Sequence, residues 1–164
     1  REEAGRAEAE VEGLRQRLET AERIESTKAE LDIERANLTK ALRDDIHERA
    51  DVIREAILAF EALSESLYEK AGSLTISETA GGPQFEVHID GQRSKGITNM
   101  QIFCFDLMLT EISIRNGRGP RFLIHDSHLF DGVDERQVAK ALQLGAERAQ
   151  AAGFQYTVTM NSDA

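Results

Sequence analysis

The chain has 164 residues, a net charge of −10, 40% hydrophobic residues and a single cysteine, Cys104. That is room for one modest domain plus an extended element, with no run near the roughly 20 apolar residues of a bilayer span. Membrane insertion, a secretory leader at Arg1-Glu2-Glu3 and a disulfide framework are all set aside, leaving a cytoplasmic location and a buried, inert thiol as the expectations.

Residues 1–71 hold 12 basic and 19 acidic side chains and the remainder 8 and 11, so the two parts carry −7 and −3. This balance argues against a broad nucleic-acid footprint and leaves DNA, like accessory proteins, as a partner for a local patch only. The sequence enters a helical pattern at once with no initiating methionine, which reads as a piece of a longer polypeptide.

From Val11 to Ala71 there is no proline, and no glycine lies between Gly13 and Gly72, while Ala, Glu, Leu, Arg and Lys dominate. Those are strong helix formers, and one long helix on the order of 100 Å is predicted. Ile24, Leu31 and Leu38 recur every seven residues, and Leu42, Ile46, Ile53, Ile57, Phe60, Leu63 and Leu67 continue at spacings of three, four and seven. Such a one-sided seam with flanking charge predicts a coiled-coil arm over residues 1–71 that needs a partner helix. Its first half is diluted by Glu25, Lys28 and Glu34, so the end nearest the remainder of the chain is expected to pack better.

After Gly72 the residues become β-branched and alternating. Ser73 to Thr79 and Phe85 to Asp90 read as strands around Ala80-Gly81-Gly82-Pro83, a hairpin signal. Thr98 to Ile114 is apolar nearly all round, as for a helix buried between layers, and it stops near Asn116-Gly117. Arg121 to His125 is a short strand, Asp134 opens a helix with Gln137 at the capping-box position, and Phe154 to Met160 is a further strand. Two strands joined by a helical crossover make a parallel βαβ unit, which places ligands beyond the carboxyl ends, near Asp126 and Asn161. The fold class is therefore α/β, with a second domain over residues 72–164.

Phe122-Leu123-Ile124-His125-Asp126 is a hydrophobic strand that delivers an acid to its carboxyl end, as P-loop ATPases do to hold Mg²⁺. Ser94-Lys95-Gly96 lies just ahead of the apolar helix, and Val133-Asp134 opens the next one. This ordered set resembles the C-terminal lobe of an ABC-type ATPase head, as in SMC and RecN proteins. With His125-Asp126-Ser127-His128 and Thr159-Met160-Asn161-Ser162-Asp163 it is similar to bacterial YydD-type coiled-coil ATPases of unknown function. The resemblance implies that the second domain is half of a P-loop head built from a β-hairpin, a buried signature helix and a βαβ unit. It also implies ATP and Mg²⁺ as cofactors, with Asp126 on the metal, Ser94, Lys95, Gly96, Asp134 and Asn161 near the nucleotide, and Ser127 and His128 at the catalytic position. The implied partners are an N-terminal head lobe, an antiparallel arm helix and a second copy that meets the first through head or coiled coil.

Ser127 stands where such enzymes usually put a catalytic glutamate, and a serine is no equivalent general base, which turns attention to His128 and Asp131. Ser94-Lys95-Gly96-Ile97 lacks the second glycine of the usual signature. The stretch from Gly91 to Thr98 lacks the lysine of a phosphate loop, so a Walker A segment is expected outside this chain. A transition-metal site is rejected because His125 and His128 lie at a strand end rather than on a helix face, and a calcium loop of Asp126, Asp131, Gly132 and Asp134 because alternating oxygen ligands are missing, while Arg115, Arg118 and Arg121 read as a solvated cluster and Asp106 as satisfied locally. The alternative is a non-enzymatic coiled-coil interaction or scaffold module.

Overall fold

The computed structural model of the protein describes residues 2–79, 81–89 and 94–160. Helix α1 runs Glu2–Glu48 and α2 runs Ala50–Tyr68. Strands β1 (Ser73–Thr79) and β2 (Gly82–His88) pair with each other, then α3 spans Lys95–Arg115. Strand β3 (Phe122–His125), a 3-10 turn (Ser127–Phe130), α4 (Glu135–Ala152) and β4 (Gln155–Val158) complete the mixed α/β fold.

The predicted single helix is interrupted at Arg49, whose φ of −97° and ψ of 17° leave the helical region. No proline or glycine stands there. What changes is the packing. Residues up to His47, with 78–82, form one compact unit, and Glu48–Ser77 with the residues from Pro83 onward form another. Helix α2 thus belongs with the α/β lobe, and the expected boundary at residue 71 moves back to residue 47. The reason is the face made by Ala56, Phe60, Leu63 and Leu67, which is buried in one core with Met100, Phe103, Cys104 and Leu107 of α3. Full burial of one large side chain is worth roughly 1.5–3 kcal/mol, so four residues at helical spacing suffice to recruit α2.

Helix α3 starts at Ser94, whose hydroxyl accepts from the Ile97 N–H, and it is capped by Asn116. The expectation that α3 is buried all round is corrected. Ile102 and Leu109 are 45% and 50% exposed, because α2, α4 and β3 cover only one side of it. On that partly open side Phe105 meets Phe85 of β2 edge to face at 5.9 Å.

Strands β3 and β4 are parallel, with Phe122 opposite Gln155 and His125 opposite Val158, and α4 is the crossover. Asp134 caps α4 by accepting from the Arg136 N–H, and Gly153 ends it in the left-handed region. The predicted capping box does not close, since Gln137 Oε1 is buried without a hydrogen-bond partner. Gly145 lets the Tyr156 ring lie against α4, for a Cβ there would sit 2.3 Å from Cε1. His125 points into the core, whereas Phe122 and Ile124 on the other face of β3 are 52% and 57% exposed.

Cys104 is fully buried, and burial pushes its thiol up to about 12. Because the thiolate is the reactive form, the native protein is expected to leave an aromatic disulfide reagent unreduced and to release one equivalent of thiol only after denaturation. Native reaction at the rate of a free thiol would mean that the contact between α2 and α3 opens readily. Among the described residues no helix is long and apolar enough to cross a membrane.

Candidate functional site

Asp126 follows directly on β3, at the carboxyl end of the parallel pair, and is exposed. Its Oδ1 accepts from the His128 N–H at 2.9 Å, which caps the 3-10 turn. The Thr159 hydroxyl, just past β4, donates to Oδ2 at 3.4 Å, and the Thr159 N–H donates to the His125 carbonyl. The acid is thus oriented from both strands, with lone pairs on each oxygen left for a cation. Asn161 lies outside the described residues.

The first turn of α3 is held against the loop that leaves Asp126. Lys95 Nζ is 3.1 Å from Asp131 Oδ2, and Asn99 Nδ2 donates to the carbonyls of His128 and Asp131. A Cβ on Gly96 would lie 2.3 Å from the Gly132 oxygen, so the backbones touch there. Asp131 also takes His128 Nδ1 at 3.2 Å, and the hydrogen bond from His128, followed by that from Lys95, holds its carboxyl below the usual range. The fold therefore gathers Ser94, Lys95 and Gly96 with the loop carrying Ser127 and His128. Asp134, by contrast, is used as the cap of α4. Among the described residues no group of three or more His, Cys, Asp or Glu side chains is placed to hold a metal ion.

Two buried polar networks went unread in the sequence. His125, 4% exposed, has Nδ1 at 3.0 Å from the Tyr156 hydroxyl, and burial pushes that phenol up. Asp106 Oδ2 lies 3.4 Å from His125 Nε2 but off hydrogen-bond geometry, so this buried ring nitrogen has no hydrogen-bond partner. The ring is thus fixed one residue before Asp126. The second network is centred on Glu111, 4% exposed, whose carboxylate receives Arg148 Nε and Nη2 at 2.5 Å each. Arg115, its side chain 55% exposed as expected of a solvated cluster, also pairs with Glu55 of α2 and approaches Glu111 at 4.0 Å, so it ties α2 to α3. Beside it a cleft of 390 Å³ is lined by Glu111, Ile114, Arg115, Arg148, Ala151 and Ala152, and contains none of the residues around Asp126. The signal available in sequence was weak: a lone Glu and a lone His inside apolar runs.

A family profile described as "uncharacterised protein conserved in bacteria (DUF2326)" matches residues 63–164. The match covers more than half of the chain, which belongs to that family. It corrects the resemblance to SMC, RecN and YydD-type ATPases: the family that covers the α/β lobe carries no such assignment. The error came from three short segments whose order alone is easily shared between α/β folds. No curated protein matches the chain.

Proposed function

We propose that this chain is the arm-bearing part of a Mg²⁺-dependent ATPase, whose lobe is one part of a nucleotide-binding head. ATP is bound and hydrolysed where two heads meet, and the arm moves as they close and part. The observation that carries this reading is Asp126, exposed at the carboxyl end of a parallel strand pair and oriented by Thr159 from the neighbouring strand. Ligands of open parallel sheets bind there.

Bound ATP supplies the phosphoryl group whose transfer to water releases the energy. Asp126 would hold Mg²⁺ through its exposed carboxylate, as a counter-charge to phosphate. Ser94 and the first-turn N–H groups of α3 present a hydroxyl and a positive dipole end to a phosphate, with Lys95 beside them. Ser127 supplies no base, so the imidazole of His128, with Nδ1 turned to Asp131, is the group with a proton-accepting nitrogen to offer. Two parallel strands with Phe122 and Ile124 open on one face are an incomplete sheet, because parallel sheets are covered on both faces. An N-terminal lobe carrying the phosphate loop would supply the layer over that face as well as further strands. The place of action is the cytoplasm.

In the full-length polypeptide, Asp126→Ala is expected to lower MgATP hydrolysis at least about 100-fold, and Ser94→Arg to abolish MgATP-dependent dimerisation in light scattering. Hydrolysis at the wild-type rate in Asp126→Ala removes the metal role. The position of Ser127 favours a second reading, a scaffold that joins partners through its arm without catalysis. Absence of any nucleotide effect on the wild-type mass would select it.

A further inference from the structure

Helix α1 presents an apolar stripe that is open from Ile24 to Leu38 and half-buried at Leu42. Ile24, Leu31 and Leu38 are each more than half exposed, and Leu42 continues the same face. At 100° per residue, Ile24, Lys28, Leu31, Arg35, Leu38 and Leu42 fall within one narrow arc. In heptad terms Ile24, Leu31 and Leu38 occupy d, and Lys28, Arg35 and Leu42 occupy a. Two cations therefore sit in the middle of the seam. The flanks have the opposite sign: Glu25 and Asp32 at e and Glu34 at g, with no basic residue at e or g from Ile24 to Leu42.

A second copy fits this surface poorly. In parallel pairing Lys28 would face Lys28 and Arg35 would face Arg35, while every g-to-e pair in the stretch is acid with threonine. In antiparallel pairing the acidic flanks face one another. Helix α1 as a whole has 14 acidic and 8 basic side chains, a net −6, so two copies also repel at longer range.

We infer that the seam of α1 takes a helix of inverted charge pattern, with acids at the core positions opposite Lys28 and Arg35 and bases on its flanks, and not a second copy of itself. Charged core positions specify partner by making the wrong pairing unfavourable, and complementary flanks reward the right one. This inference stands apart from the ATPase reading, since nothing in it depends on Asp126 or on nucleotide.

The test uses the whole chain and two synthetic three-heptad helices with leucine at d. One carries Glu at the core a positions and Lys at the flanks, and the other has these charges exchanged. The first is expected to bind at least about tenfold tighter than the second at low salt, and Lys28→Glu/Arg35→Glu to reverse the order. In sedimentation equilibrium Lys28→Leu/Arg35→Leu is expected to self-associate where the wild type does not do so through α1. A wild-type dimer that Leu31→Asp dissociates overturns the inference. So does equal binding of the two helices, and that comparison decides whatever the mass of the wild type.

Discussion

Gly96→Val is expected to destabilise the chain by about 3 kcal/mol or more, seen as a lower urea midpoint with an unchanged slope. The backbone of Gly96 lies in the first turn of α3, where valine is allowed, so the effect is one of space. A Cβ would lie 2.3 Å from the oxygen and 2.9 Å from the carbon of Gly132, and 3.1 Å from the Val133 Cα. All three are backbone atoms and none can swing aside. Their loop is pinned in turn by Asn99, which holds the carbonyls of His128 and Asp131, and Gly132 itself has a φ of 72°. Gly13 is the contrast. Nothing lies within 4 Å of a Cβ built there, so Gly13→Ala is expected to gain about 0.5–1 kcal/mol of helix stability. If Gly96→Val unfolded at the wild-type urea concentration, the loop after Asp126 would not be held against α3.

Arg148→Met is expected to cost about 2–3 kcal/mol. Removing one partner of a buried pair costs roughly 3–5 kcal/mol, and we discount that because the Arg148 side chain is 37% exposed. The methionine fills the space of the aliphatic stem, so the loss reports the Glu111 carboxylate, left with only Arg115 Nη2 at 4.0 Å. Glu111→Met/Arg148→Met removes both charges and is expected to recover most of the stability. A double variant as unstable as the single one would show that shape, and not the stranded carboxylate, sets the loss. The same measurement bears on the lobe as a whole, for Arg148 of α4 ties to Glu111 of α3, and Arg115 of α3 pairs with Glu55 of α2.

Several elements were legible because their causes are local. The helix start at Asp134, the stop near Asn116-Gly117 and the helical spacing from Phe60 to Leu67 all act within one or two turns. Two short β-branched runs separated by a helical pattern leave little choice but a parallel crossover, and β3, α4 and β4 form one. Asp126 was visible for the same reason, as the residue that follows a hydrophobic strand.

Other features were decided by residues far apart in the chain. The family resemblance failed because it weighed the order of short segments, whereas the role of each segment depends on what it touches. Gly96 illustrates this: read beside Ser94 as a phosphate-site residue, it is demanded by the close passage of Gly132. Arg115 reaches Glu55 sixty residues back, Lys95 reaches Asp131 over 36, and His125 meets Asp106 across the gap between α3 and β3. A helix register states which face a residue occupies but not what covers that face, so the open side of α3 was invisible in its apolar composition. By itself the sequence determined the order of helices and strands after Gly72, the start of α4 at Asp134 and the parallel crossover, since hydrogen bonding and side-chain sterics act over a few residues. Only the tertiary structure decided that α2 joins the lobe, that Glu111 and His125 are buried with partners, and that the outer face of β3 stays open, because burial and charge pairing depend on neighbours that folding alone brings together.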